Sequence, residues 1–361
     1  EVAKVSFFRM IPLCVSGPLG GVLADRFPRK HILVFTGMIS MIGTGVLAVL
    51  ISFDIVVLWH IYAVALVLGI GFSANNPARR AVMRDLVGDK FLINAMSLDQ
   101  IGFSFSRVLG PFIGGITISL FGAGPAFVLV TFLHTCSLLA LLFMWGPPVI
   151  DRAIPTSILA DLKNGFVYVF SQPVIRAVMA ITIVWNLLVW PFMQLLPVFA
   201  KDILNVDATG LGLMGSMSGV GALLGTMIMA SLPSTKRPGL LFIIGAAAFG
   251  AGVFLVSLSQ WFPVSLAILF GLGIGQSAYF VLQTSLILLV SNDKMRGRAM
   301  GILTLGIGAG PIGTLMVGYF SEIYGAPLAV SSAAATGLIL LVLIAFSMPQ
   351  LVRTSGKPDK I

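Results

Sequence analysis

Long apolar runs recur almost from end to end of this chain, and they constrain its fold more than any other feature. Each run is about 20 residues long, the length that a helix needs to cross a bilayer. The mean hydropathy is +1.04, and 58% of the 361 residues are hydrophobic. Isolated strands would leave backbone polar groups unpaired in lipid, and the runs are too uniformly apolar for barrel strands. The sequence therefore predicts an all-α membrane protein.

The runs predict eleven membrane-spanning helices. At roughly 30 residues for a helix and its loop, a chain of this length has room for about a dozen spans. The predicted spans are 3–24, 31–52, 55–77, 95–120, 124–146, 174–200, 208–232, 238–259, 262–290, 298–322 and 326–350.

Basic residues are concentrated in one set of alternate loops. In a soluble protein the net charge of +9 would point to nucleic acid, but in a membrane protein excess Lys and Arg mark the cytoplasmic side. We therefore expect no nucleic-acid partner, a cytoplasmic C-terminus and an outer N-terminus. The basic set is Arg26, Arg29, Lys30, Arg79, Arg80, Arg84, Lys90, Arg152, Lys163, Arg176, Lys236, Arg237, Lys294, Arg296, Arg298, Arg353, Lys357 and Lys360; the opposite set is Lys4 and Lys201.

Short strings repeat at offsets near 200 residues, which indicates two parallel halves, as in transporters built from duplicated bundles. The repeated pairs are LGIG at 68–71 and 272–275, Gly-Pro at 110–111 and 310–311, FGAGPAF at 121–127 with YGAPLAV at 324–330, and SGPLGG at 16–21 with SGVGALLG at 218–225.

The repeat also predicts the domain organisation. Span 174–200 has no counterpart in the first half, so we expect a twelve-span protein whose first helix is missing from this sequence. Residues 1–146 then form an N-terminal bundle without its first helix. Residues 147–173 form an amphipathic linker along the cytoplasmic interface, and residues 174–361 form a six-helix bundle with a tail.

Two segments carry a resemblance to a known family. Gly21-x-x-x-Asp25-Arg26-x-x-Arg29-Lys30 resembles the signature loop of the major facilitator superfamily, with Pro28 where that family usually has Gly. Residues 76–115 resemble its macrolide-efflux and enterobactin-exporter branch, which shares N-P-A-R, L-V, N-A and R-x-L-G-P-x-x-G-G. The chain is identified as a member of this superfamily, whose fold has two six-helix bundles.

The resemblance implies a conformational role for the signature loop. Asp25 would sit at the positive N-terminal end of the penultimate helix, near Arg298, and favour the outward-open state. Gly21 would allow close helix packing, and Arg26, Arg29 and Lys30 would hold the loop in the cytoplasm and pair with nearby acids. The simpler alternative is that these residues are only cytoplasmic anchors.

The segment SRVLGPFIGG, 106–115, resembles the antiporter motif of exporters. Gly110, Gly114 and Gly115 would permit close helix approach, and Pro111 would bend the helix. The simpler alternative is the packing of small residues that is common in membrane helices. Arg107 lies well inside an apolar span, where a charge is costly, so it is expected to face a cavity or a partner. It is either a contact for substrate or protons, or a tether to a backbone carbonyl.

Two polar-aromatic stretches are candidates for lining a substrate cavity. Their setting among apolar residues favours hydrophobic or amphipathic ligands; the alternative is an aromatic belt with hydrogen bonds between helices. Asn186, Trp190 and Gln194 recur every four residues and are predicted to share one helix face. The full candidate set is Trp185, Asn186, Trp190, Gln194, Gln276, Tyr279 and Gln283.

No motif for a cofactor, a metal or ATP is present. Gly308-Ala-Gly310-Pro-Ile-Gly313 reads as G-x-G-x-x-G, but no strand precedes it. No enzymatic activity is expected, and a transporter of this kind must use a gradient. The resemblance implies proton coupling, for which Asp99 is the candidate.

The predicted function is secondary active, proton-coupled efflux of hydrophobic or amphipathic molecules, drug-like or siderophore-like, by a monomer in a bacterial inner membrane. The alternatives are an importer or facilitator of a small metabolite, and an inactive truncated membrane scaffold.

Overall fold

The structure is a computed structural model that describes residues 1–12, 28–144, 158–231 and 237–354. Its described residues are mostly helical and contain no strand. Within them, ten segments are long and apolar enough to cross a membrane, and these match the second to eleventh predicted spans. Of the first predicted span, residues 3–12 are helical and the remainder lies outside the described residues. The all-α membrane architecture is thus confirmed.

The helices follow one another with short connections. They are α1 (2–12), α2 (Arg29–Ser52), α3 (Leu58–Phe121), α4 (Ala123–Leu142), α5 (Ile158–Ser171), α6 (Pro173–Val184), a π turn (Trp185–Val189), α7 (Pro191–Val198), a second π turn (Phe199–Ile203), α8 (Ala208–Ser231), α9 (Pro238–Leu258), α10 (Phe262–Val290), α11 (Asp293–Ile307), α12 (Gly310–Tyr324), α13 (Ala326–Ser347) and α14 (Pro349–Arg353).

The chain divides into two compact units. The first contains Ala3–Ser106 and Ile113–Pro155, and the second contains Thr156–Ile361 together with the α3 segment Arg107–Phe112. The contacts of Arg107–Phe112 therefore belong to the second unit. The predicted boundaries at 146 and 173 remain a prediction.

In the first unit, α2 packs against both α4 and the first half of α3. A Cβ added at Gly37 would lie 3.3 Å from the Leu138 side chain of α4, and one at Gly43 would lie 3.3 Å from Val64 of α3. Small residues thus bring these helices together, as is common in membrane bundles.

The predicted loop between the third and fourth spans, 78–94, is helical, because α3 is continuous from Leu58 to Phe121. The two spans themselves, Leu58–Asn75 and Ile101–Phe121, are present. Arg79 and Asp99 nevertheless form a 3.0 Å ion pair, although a straight helix would separate them by about 30 Å. The helical path must therefore turn back on itself between these residues.

In the second unit, α10 packs between α8 and α9. A Cβ added at Gly273 would collide with the Ser218 carbonyl of α8, and one at Gly275 would lie 2.8 Å from the Phe249 nitrogen of α9. A small-residue stripe on α10 therefore fixes the centre of this unit.

The linker helix α5 packs on α11. A Cβ added at Gly165 would lie 3.1 Å from the Ile302 side chain. The Tyr168 hydroxyl donates to Asn292 Oδ1 and accepts from the Asn292 backbone N–H at 3.2 Å. Because Asn292 is the residue that precedes α11, this contact binds the linker to the N-terminal end of that helix.

One of the predicted repeats has a clear structural counterpart. Gly122 alone separates α3 from α4, with φ of 86°, and Gly325 alone separates α12 from α13, with φ of 84°. Glycine adopts this left-handed conformation without the penalty that other residues incur. The strings FGAGPAF and YGAPLAV therefore form the same sharp connection in each half.

The Gly-Pro repeat behaves differently in the two halves. At Gly110-Pro111 the helix is continuous, whereas α11 ends at Ile307 and α12 begins at Gly310. The predicted span 298–322 is therefore two helices. The break occurs where Pro311 occupies the first turn of α12, a position that needs no backbone N–H.

Candidate functional site

The signature loop is described only at its end. Gly21, Asp25 and Arg26 lie outside the described residues, and Arg29 begins α2 without a described side chain. Lys30 Nζ donates to the Leu142 carbonyl at 3.2 Å and to the Met144 carbonyl at 2.8 Å. We expected nearby acids as partners, but the amine instead binds the negative C-terminal end of α4.

Arg107 and Gln276, both candidate cavity residues, are in direct contact in the second unit. Arg107 Nη2 donates to Gln276 Oε1 at 2.7 Å. Gln276 is fully buried in α10, while Arg107 is half-buried. Since a guanidinium only donates, Gln276 must present its oxygen to Arg107 and direct its NH₂ group elsewhere. That Nε2 has no hydrogen-bond partner among the described residues.

The α3 segment around Arg107 packs closely on α8. Pro111 has no N–H, so the Arg107 carbonyl four residues earlier has no donor from its own helix. Gly219 covers that carbonyl, because a Cβ added there would lie 2.8 Å from it. Ser216 Oγ donates to the next carbonyl, that of Val108, at 2.7 Å.

The glycines that allow this approach are not those of the antiporter-like motif. A Cβ added at Gly110 or Gly114 would meet no described atom within 4 Å, whereas one at Gly215 of α8 would lie 2.8 Å from Pro111. The close approach expected at Gly110 and Gly114 is therefore provided from the opposite helix. Gly115 is buried.

A polar-aromatic cluster occupies the middle of the second unit. Gln283 Nε2 donates to Thr182 Oγ1 at 2.6 Å and to the Tyr279 hydroxyl at 3.0 Å. The Tyr279 ring stacks on Phe242 and Trp185 at centroid distances of 5.4 and 6.2 Å. Trp185, Tyr279 and Gln283 are all buried. Sequence reasoning missed Thr182, whose position one turn before Asn186 was the available signal.

The predicted common face of Asn186, Trp190 and Gln194 crosses the π turn Trp185–Val189. Asn186 is buried and its Nδ2 donates to the Thr182 carbonyl at 2.9 Å. Trp190 and Gln194 are half-buried. Trp190 packs edge-on against Phe280 at 5.7 Å.

Pro191 explains the π turn. It cannot donate to the Leu187 carbonyl, and its ring would crowd that carbonyl in a regular helix. The helix responds with a wide turn in which the Trp190 N–H donates to the Trp185 carbonyl at 2.8 Å. Gly313 of α12 covers the freed group, since an added Cβ would collide with the Leu187 carbonyl and lie 2.6 Å from that of Asn186.

Asp99, the candidate for proton coupling, lies in the first unit. Its Oδ2 pairs with Arg79 Nη2 at 3.0 Å, and both side chains are partly exposed.

The described residues hold no cluster of three or more His, Cys, Asp or Glu side chains that could bind a metal. What the second unit brings together is a half-buried arginine, buried amides and stacked aromatic rings inside membrane-spanning helices. Such groups bind and orient a molecule by hydrogen bonds and ring contacts. The ten spanning segments among the described residues define a multi-pass membrane protein, and this interior is typical of a transporter.

Comparison with known proteins identifies the family. The model of the MFS_3 family, transmembrane secretion effector, matches residues 1–358, and the chain belongs to this family of the major facilitator superfamily. Family and relatives are transporters and not enzymes.

Two curated relatives and one solved structure show the extent of the similarity. The multidrug efflux pump Tap of Mycolicibacterium fortuitum is 24% identical over 97% of this chain and 88% of its own length. The enterobactin exporter EntS of Shigella boydii serotype 18 is 26% identical over 95% of this chain and 82% of its own length. A crystal structure of a POT family transporter superposes with a TM-score of 0.78 at 12% identity, over 97% of this chain and 88% of that one; it shows the shared fold alone.

Proposed function

We propose that this protein exports amphipathic or hydrophobic organic molecules by gradient-driven alternating access. Its family and the names of its relatives, a multidrug efflux pump and an enterobactin exporter, support export. The observation that carries the proposal is the contact of Arg107 with buried Gln276 inside an apolar bundle. A charged group inside a membrane span is costly, and such groups typically mark a substrate or ion pathway.

The substrate class follows from the neighbouring side chains. Stacked rings of Tyr279, Phe242 and Trp185 lie on the same unit as the polar Arg107–Gln276 pair. Apolar surface with a few placed polar groups is typical of sites for organic ligands. Among the proposed cavity residues, Trp190 and Gln194 are half-buried and thus reachable.

Coupling to protons is the proposed energy source, with Asp99 as the coupling residue. Asp99 forms an ion pair with Arg79. Proton binding would weaken this pair, because a neutral carboxyl no longer attracts the guanidinium. Asp25 is proposed to stabilise the outward-open state. The protein is further proposed to act as a monomer, without nucleic acid, in a bacterial cytoplasmic membrane with a cytoplasmic C-terminus.

A transport assay tests the proposal. The full-length protein is reconstituted into proteoliposomes loaded with lipophilic fluorescent compounds, and efflux is followed with and without an imposed pH gradient. We expect gradient-dependent efflux that falls in the Asp99→Asn variant and, as the signature-loop role predicts, in Asp25→Asn. The Asp54→Asn variant, at an exposed acid beside α2, is the matched control and should retain transport.

The same assay separates the alternatives. Gradient-dependent accumulation of a small metabolite in vesicles of defined orientation would favour an importer. No transport of any compound, in either orientation, by a well-folded protein would favour an inactive membrane scaffold.

A further inference from the structure

We infer that Arg107 and Gln276 bind an anionic oxygen group of the substrate, a carboxylate or a phenolate. This inference rests on the proposed function and specifies the polar end of the molecule that would be transported. Both residues offer hydrogen-bond donors that the described part of the structure does not use.

Charge is the first argument. The ion pairs among the described residues are Lys4–Glu1 and Arg79–Asp99, so no described carboxylate neutralises Arg107. Its partner is the neutral oxygen of Gln276. A guanidinium has five N–H donors and suits bidentate binding of a carboxylate. A ligand anion would supply the counter-charge that the described residues lack.

The orientation of Gln276 is the second argument. The contact with Arg107 engages the amide oxygen, so that Nε2 is left to find another partner. This NH₂ group is completely buried and has no described partner. An unsatisfied buried donor is unfavourable, and an oxygen acceptor of a ligand would satisfy it. Arg107 itself is half-buried and therefore accessible to a ligand.

The surroundings support a binding role over simple packing. The other buried amides named above are satisfied within the protein: Gln283 binds Thr182 and Tyr279, and Asn186 binds the Thr182 carbonyl. Trp185 Nε1 and Ser291 Oγ, away from Arg107 in sequence, are also buried without a described partner. Ser218 precedes Gly219, the glycine that packs on the Arg107 carbonyl. Its hydroxyl oxygen, like Gln276 Nε2, is buried and has no described partner. Two of the four buried groups without a described partner, Ser218 Oγ and Gln276 Nε2, thus belong to α8 and α10, the helices that contact the Arg107 segment.

The test compares a fluorescent aromatic carboxylic acid with its methyl ester, which has the same apolar body and no charge. Efflux of each is measured in proteoliposomes containing the wild type, Gln276→Glu or Arg107→Gln. We expect the wild type to have a KM for the acid about tenfold or more below that for the ester, the range expected for charge-assisted hydrogen bonds. Gln276→Glu places a carboxylate against Arg107 and should abolish this preference, as should Arg107→Gln, while ester efflux continues.

The control is Gln260→Glu, which makes the same chemical change at an exposed residue between α9 and α10. It should keep the wild-type preference. Equal loss of acid and ester efflux in both site variants, with normal size-exclusion profiles, would show a structural role and overturn the inference. A wild type that exports both compounds without preference would also overturn it and leave the proposed function intact. A wild type that exports neither would contradict the proposed function itself.

Discussion

Two prolines, Pro111 within α3 and Pro191 at the start of α7, have different effects on the helices that contain them. Each leaves the carbonyl four residues earlier without a helical donor, and each freed carbonyl is covered by a glycine of another helix: Gly219 for Pro111 and Gly313 for Pro191. At Pro111 the helix remains regular. At Pro191 it opens into the π turn Trp185–Val189.

The difference between the two prolines shows where the helices of the second unit depart from regular α-helical geometry. Around Pro111, a hydroxyl from Ser216 binds the adjacent Val108 carbonyl and reinforces a regular helix. Around Pro191, the π turn lies beside the break between α11 and α12, through Gly313. π turns are rare in proteins, and those that occur often lie at functional sites. The bending that the antiporter-like motif predicts at Pro111 is therefore better placed at Pro191, next to Trp185 and Asn186.

Among the substitutions that test this comparison, Gly313→Ala should lower the stability of the protein most. Its Cβ would collide with the Leu187 carbonyl and lie 2.6 Å from that of Asn186, and neither is a side chain that can move aside. Overpacking of this kind costs about 1–3 kcal/mol, and we expect the upper end of that range. Thermal unfolding in detergent measures it.

Gly301→Ala is the matched control for that substitution. Gly301 lies in α11, and an added Cβ would meet no described atom within 4 Å. Replacing a helical glycine by alanine there should leave stability unchanged or raise it by up to about 1 kcal/mol. Equal melting temperatures for the two variants would mean that α12 does not depend on Gly313 for its contact with the π turn.

Gly219→Ala should have a smaller effect, because its Cβ would lie 2.8 Å from the single Arg107 carbonyl. We expect a loss near 1–2 kcal/mol, measured by the same thermal unfolding. Gly110→Ala, in the antiporter-like motif, should cost nothing measurable, since its Cβ meets no described atom within 4 Å. A larger loss of stability in Gly110→Ala than in Gly219→Ala would show that the antiporter-like motif, and not α8, provides the close packing surface.

Pro191→Ala tests whether the π turn serves transport. Alanine restores an N–H that can donate to the Leu187 carbonyl, so the helix should become regular and gain about 1 kcal/mol. Proteoliposome efflux should then fall several-fold, because the deformable turn is lost. Pro111→Ala is the comparison and should change efflux less. Unchanged efflux in Pro191→Ala would show that transport does not require the π turn.

The sequence was sufficient for features that depend on composition and local chemistry. Ten of the spans, the two glycine connections at Gly122 and Gly325, and the internal setting of Arg107 all follow from hydropathy and residue type. It could not show that Gln276 is the partner of Arg107, because 169 residues separate them. Tertiary packing also decides which glycines make contact, so the motif pointed to Gly110 where Gly215 and Gly219 are the ones used.

Ser216→Ala should have the smallest effect and isolates the hydroxyl that distinguishes the two proline sites. It removes the 2.7 Å bond to the Val108 carbonyl, and the loss of one such bond costs about 1 kcal/mol. Ser285→Ala is the control, because its exposed hydroxyl binds the Val281 carbonyl of its own helix and should contribute little. We expect a lower melting temperature only for Ser216→Ala. Such a result would mean that the regular helix of α3 at Pro111 is stabilised in part by α8. Identical melting temperatures for Ser216→Ala and the wild type would mean that the α3 backbone alone maintains it.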